Sequence, residues 1–129
     1  MIKNKLAPQE VIDQYKESCQ ILKKTTINGD YKTGNKEGKN IIKIFKILEN
    51  DKDLALLSLP ELFQDDNVVV KIKAAAHCLS LNIVTEKALN VLKGVAKDES
   101  LEIFRFNAEM TLKVYMENGY LKVYPKQEV

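Results

Sequence analysis

Apolar residues recur along this chain at intervals of three and four, broken by short polar turns, and that rhythm predicts helices from one end to the other. Ile12, Tyr15, Cys19 and Leu22 form the first apolar stripe. Their helix begins near Pro8, a residue suited to a first turn because the N–H it lacks would have no helical partner there. Asn28-Gly29-Asp30 reads as a turn in which Gly29 takes positive φ and the Asp30 carboxylate caps the next helix. That second helix runs from about Tyr31 to Glu49, with Tyr31, Ile41, Ile42, Phe45 and Leu48 on its apolar side. Gly34 and Gly38 share one face of it, which implies either a close approach by another backbone or an irregular first half.

Asn50-Asp51-Lys52-Asp53 makes the next break. A short helix to Gln64 should follow, with Leu56, Leu59 and Phe63 turned inward and a kink at Pro60. Asp65-Asp66-Asn67 then leads into a helix from Val68 to Leu81. The last pair spans about Thr85 to Lys97 and, after Asp98-Glu99-Ser100, a long helix to Glu117 that Asn118-Gly119 stops. The tail from Tyr120 to Val129 is expected to lie on the body through Leu121, Val123 and Tyr124.

Sliding the chain by thirty-three residues superposes the last two helix pairs. Ala55 falls on Ala88, Leu59 on Leu92, Val70 on Ile103, Ala75 on Ala108 and Leu79 on Leu112, and the two acidic turns coincide. The final helix carries two apolar stripes, one of Leu101, Ala108, Leu112 and Tyr115, the other of Ile103, Phe106, Met110 and Val114. A helix apolar on nearly all sides calls for neighbours on nearly all sides, so both stripes are expected to be sandwiched. The predicted fold class is all-α, one domain over residues 1–129: three stacked antiparallel hairpins forming a short right-handed superhelix. The hairpins cover about 8–49, 53–81 and 85–117, and the tail covers 118–129.

Pro60 in a short helix, the acidic turn Asp65-Asp66, then Val70-Lys71 and Ala74-Ala75 resemble a HEAT repeat. Lys71 stands where that motif usually has Arg, and Arg105 is shifted relative to its own turn, so no Asp-to-Arg ladder between repeats is expected. Three stretches extend the likeness: Gly29-Asp30-Tyr31 through Asn35-Lys36, Val70-Lys71 through Ala74-Ala75-Ala76-His77-Cys78-Leu79, and Phe106-Asn107-Ala108-Glu109-Met110-Thr111-Leu112. With Tyr115 at an aromatic position, they resemble the bacterial HEAT-like family known as domain of unknown function twenty-nineteen. The resemblance covers about residues 9 to 118 and implies a fold, with no activity and no catalytic residues attached.

Composition narrows the class. The chain has 129 residues, 45% apolar and 29% charged, which suits a globular protein that buries a real core. It has neither a signal-like opening nor a run near the ~20 apolar residues of a membrane span, so a cytoplasmic, non-membrane protein is expected. Cys19 and Cys78 read as buried free thiols, with a disulfide or a metal pair as alternatives. Residues 1–48 hold ten lysines against five acids, whereas residues 49–129 hold ten basic residues against thirteen acids. One end is therefore basic and the rest mildly acidic.

The basic end contains the sharpest surface motif, Lys32, Lys36, Lys39, Lys43 and Lys46. Spacings of four and three hold all five within about 80° on a helix turning ~100° per residue. The row is either a solvated face, a contact for an acidic protein, or a phosphate contact; no aromatic side chain interleaves with it in sequence. His77, the single histidine, is either packed in the structure or stands on a binding surface with Lys73 and, one repeat on, Arg105 and Asn107. No nucleophile has a base and an orienting group beside it, no metal-ligand spacing occurs, and no cofactor is implied. The residues point to a non-catalytic protein-interaction module. An immunity or antitoxin-like plug for a toxin, and a nucleic-acid binder using the lysine row, are the alternatives.

Overall fold

The computed structural model describes residues 6–128, and among these every regular element is helical. Six α-helices follow one another: α1 Pro8–Asn28, α2 Tyr31–Glu49, α3 Lys52–Ser58, α4 Val68–Leu81, α5 Thr85–Lys97 and α6 Ile103–Asn118. Short 3₁₀ segments, Leu59–Gln64 and Glu99–Leu101, precede α4 and α6.

The ends of these helices follow from local chemistry. Pro8 opens α1, where Glu10 reaches back to accept a hydrogen bond from the Ala7 N–H at 2.8 Å. Gly29 closes it at φ 76°, donating its N–H to the Thr25 carbonyl. Asp30 caps α2 by accepting from the Thr33 N–H, and Asp51 caps α3 by accepting from the Leu54 N–H. Pro60 has no N–H for the α-helical ladder, so the chain tightens into a 3₁₀ segment after Ser58 where a kinked helix was expected. The two acidic turns share their geometry as well as their sequence. Asp65 Oδ1 accepts from the Asn67 N–H, and Asp98 Oδ1 accepts from the Ser100 N–H thirty-three residues later.

The helices pair as three successive hairpins: α1 with α2, the α3–3₁₀ unit with α4, and α5 with α6. α4 lies in the middle, packed against α1, the preceding 3₁₀ segment, α5 and α6. One continuous apolar cluster runs from Val11, Tyr15 and Cys19 through Ile41, Phe45 and Leu48 to Leu59, Val70, Ala75 and Leu79 and on to Leu92 and Ala108. Ala75 and Ala108, matched by the thirty-three-residue shift, are both fully buried, and both let neighbouring helices come close. The tail rests on this body as expected: Leu121 is buried, while Val123 and Tyr124 pack against the core.

Four expectations change. Leu56 faces solvent, because the buried side of α3 is Leu54, Ala55 and Ser58 and the chain turns tightly after it. Tyr31, at the first position of α2, lies beyond the edge of the core and is exposed. Gly34 does admit a close neighbour, the Thr25 side chain, whose Oγ1 would lie 3.1 Å from an added Cβ; Gly38 meets nothing and the helix is regular through both. Most consequentially, only one of the two stripes of α6 is covered. Ala108 is buried and Leu112 and Tyr115 pack on the core, but Ile103, Phe106, Met110 and Val114 are exposed. α6 packs on α5 and α4, and no element among the described residues covers its other side.

Entry into α6 is strained. Glu102 stands at φ 49°, ψ −114°, a region that side-chain-bearing residues rarely adopt, with no side-chain capping bond in return. Its side chain is exposed, so Glu102→Gly should relieve the strain without loss of packing. Urea unfolding of this variant should show a gain of about 1 kcal/mol, and a loss would mean that the turn is not strained.

Candidate partner-binding cleft

α1 and α6 flank α4 and leave a cleft of about 420 Å³ between them. Leu22 and Thr26 of α1 form one wall; Phe104, Phe106, Asn107, Met110 and Thr111 of α6 form the other; Val69, Ile72 and Lys73 of α4 form the floor. The cleft continues in two directions. At one end it joins a depression lined by Tyr31, Gly34 and Asn35 of α2 with Ile103 of α6. At the other it runs past Lys73, Ala76 and Ile42 to the tail residues Leu121, Lys122 and Val123. Phe106 is 54% exposed and Met110 40%, so two large apolar side chains stand open to solvent on one wall. Such concave, largely apolar surfaces with a few polar groups at the edge are where ligands and partner segments bind.

The residues singled out in the sequence divide among different places. Lys73 and Asn107 both line this cleft. Arg105 is not among its lining residues and instead faces Glu109, one helical turn on, at 3.7 Å. That local pairing agrees with the absence of a ladder between repeats, and the Asp65 carboxylate is taken by Lys16 of α1 at 3.5 Å.

His77 is not a surface contact. It is 3% exposed, and its Nδ1 shares a 2.7 Å hydrogen bond with the Tyr15 hydroxyl. Its ring lies 4.8 Å from that of Phe45, centroid to centroid. The side of α4 that carries His77 is covered by Tyr15 of α1 and Phe45 of α2. Burial, aided by the nearby charge of Lys73, pushes the imidazole down to about 3, so it is neutral at physiological pH. Cys19 and Cys78 are both buried free thiols, and burial pushes each up to about 12, which keeps them protonated and unreactive. Among the described residues, no three His, Cys, Asp or Glu side chains gather as a metal site.

The lysine row is where the sequence placed it. Lys32, Lys36, Lys39, Lys43 and Lys46 are all exposed along the outer side of α2. Tertiary structure adds an aromatic neighbour that the sequence spacing did not contain: the Lys46 ammonium sits 4.7 Å from the Tyr124 ring centroid. The Tyr124 hydroxyl in turn donates to Glu49 at 2.6 Å, a bond that raises its pKa. Near its middle the row meets acidic neighbours, since Lys43 borders a shallow depression shared with Glu17 and Glu37.

Phe106 and Met110 were the site residues that sequence reasoning misplaced, because an apolar stripe on a helix reads as core until its neighbours are known. No protein-family model, no curated protein and no solved structure matches the chain. No helix among the described residues is long and apolar enough to cross a membrane.

The buried histidine makes stability depend on pH. The unfolded chain takes up a proton near the ordinary value of 6.5, whereas the folded chain resists until about 3. Protons therefore favour the unfolded state across that window, and stability falls as pH drops through it. Urea titrations should show the His77 contribution costing on the order of 2–3 kcal/mol between about pH 7 and about pH 4. A Tyr15→Phe/His77→Phe double variant removes both hydrogen-bonding partners together and should lose distinctly less stability over that range. An unchanged acid sensitivity in the double variant would show that His77 does not set it.

Proposed function

We propose that this chain is a non-catalytic, HEAT-like protein-binding module of a bacterial cytoplasm, akin to the family of domain of unknown function twenty-nineteen. It holds part of another protein in the cleft between α1, α4 and α6. The observation that carries this reading is the placement of Ile103, Phe106 and Met110, large apolar side chains left exposed along a concave wall beside Leu22, Val69 and Ile72. Leaving an aromatic and a methionine in water costs free energy that covering them by a partner would recover, on the order of 1–3 kcal/mol per side chain. Lys73 on the floor, with Asn107, Thr26 and Thr111 on the walls, supplies the few polar contacts that fix orientation. Each of the exposed apolar side chains is only partly covered by the fold itself. A reducing cytoplasm suits the two buried thiols.

The test is affinity capture from a lysate of the organism that makes the chain, with three baits and identification by mass spectrometry. Wild-type protein should retain a defined set that Phe106→Asp loses and that Lys32→Glu/Lys36→Glu/Lys43→Glu, away from the tail end of the cleft, keeps. Phe106 is more than half exposed, so its replacement leaves the fold intact, which circular dichroism checks. Retention of the whole set by Phe106→Asp would remove the cleft from the reading. Loss of that set only on reversal of the lysines would transfer binding to the outer face of α2.

A further inference from the structure

We infer that the cleft takes an amphipathic helix whose apolar stripe is flanked by carboxylates; this rests on the reading of the cleft as a protein-binding surface. Two features of the lining select that occupant. The first is shape. Ile103, Phe106, Met110 and Val114 follow one another at helical spacing along α6. Phe106 and Met110 face the side of α1 across the floor of α4, and Ile103 continues the apolar line into the adjoining depression. A second helix laid beside such a line packs its own i, i+3, i+4 and i+7 side chains against it. An extended strand needs a sheet edge to pair with, and the described residues contain no strand.

The second feature is charge. The central cleft and its extension toward the tail are lined by two cations, Lys73 and Lys122, and by no carboxylate. Ile42, which lines that extension, is one helical turn from both Lys39 and Lys46 on α2, three residues after one and four before the other, so the basic row borders the same end. The single acid along the whole channel is Asp30 at the opposite end, where its carboxylate already accepts from the Thr33 N–H. An occupant with Glu or Asp beside its apolar stripe meets unopposed positive charge; a basic one meets only repulsion. A second copy of this chain offers no such match, because its exposed α6 carries Arg105 and Lys113 alongside Glu109 and Glu117.

The probe is a phage-displayed library of random peptides about 16 residues long, ~24 Å as a helix, panned against the full chain. Enriched peptides should share large apolar residues at i, i+4 and i+7 with Asp or Glu beside them. Synthetic copies should bind Phe106→Asp and Lys73→Glu at least about tenfold more weakly than wild type, and raising salt from about 50 mM to about 500 mM should weaken them further. Peptides that need Phe106 but are neutral or basic, and that bind Lys73→Glu as well as wild type, would overturn this inference and leave the protein-binding reading standing. Peptides indifferent to Phe106, or no enrichment at all, would overturn both. If sedimentation velocity shows a dimer of the chain that Phe106→Asp dissolves, the occupant is a second copy and the inference falls.

Discussion

Ten of the fourteen residues of α4 are buried, and a helix in that condition exists only where other elements surround it. Val69, Val70, Ile72, Ala74, Ala75, Cys78 and Leu79 leave it no solvent face of any width, so α1, the 3₁₀ segment, α5 and α6 must all lean on it. The hairpins are arranged as they are because α4 has to be covered. The same demand encloses His77, a polar side chain set among apolar neighbours. Its burial is tolerable because the imidazole stays neutral and shares a hydrogen bond with Tyr15. Tyr15 and Phe45 belong to the two helices of the first hairpin, so this one buried group ties that hairpin to the centre of the molecule.

The difference between α4 and α6 carries the functional argument. Both are apolar on two sides, and they occupy equivalent places in the thirty-three-residue repeat. Their surroundings differ. α4 has a hairpin on either side of it, whereas α6 packs mainly on α5 and α4 among the described helices. The apolar ridge of Phe106 and Met110 is therefore left facing the side of α1 across a gap. A repeat that hides its apolar surface only by stacking leaves open any side against which no neighbour lies.

The tail links parts that the helices leave loosely joined. Tyr124 meets Phe45 edge-on and lies beneath the Lys46 ammonium while its hydroxyl bonds Glu49, all on α2. Three residues later, Gln127 donates to Ser80 of α4 at 2.6 Å. The ten described residues without regular structure, 119–128, thus bridge α2 and α4, and Leu121 and Val123 line the end of the cleft as they pass. Only one aromatic ring is involved, yet it places a π face beside the lysine row and fixes the position of its last member.

Much of this was readable from the residues alone, because it depends on chemistry that acts within a few positions. Pro8, Gly29, Asp30, Asp51, Asn67 and Gly119 start and stop helices through their own φ preferences and hydrogen bonds, so the ends of α1, α2, α4 and α6 fall within a residue or two of where the sequence put them. The lysine row was equally legible, since helical spacing alone decides it. Which apolar stripe ends up covered was not, because burial depends on what arrives from elsewhere in the chain. His77 went inside since α1 and α2 come to its side of α4; Phe106 stayed outside since no described element comes to its side of α6; Lys73 and Asn107 line one cleft because two helices distant in sequence lean on one groove. Local sequence determined the helices and their caps, and only the stacking of distant segments decided which of their faces water still reaches.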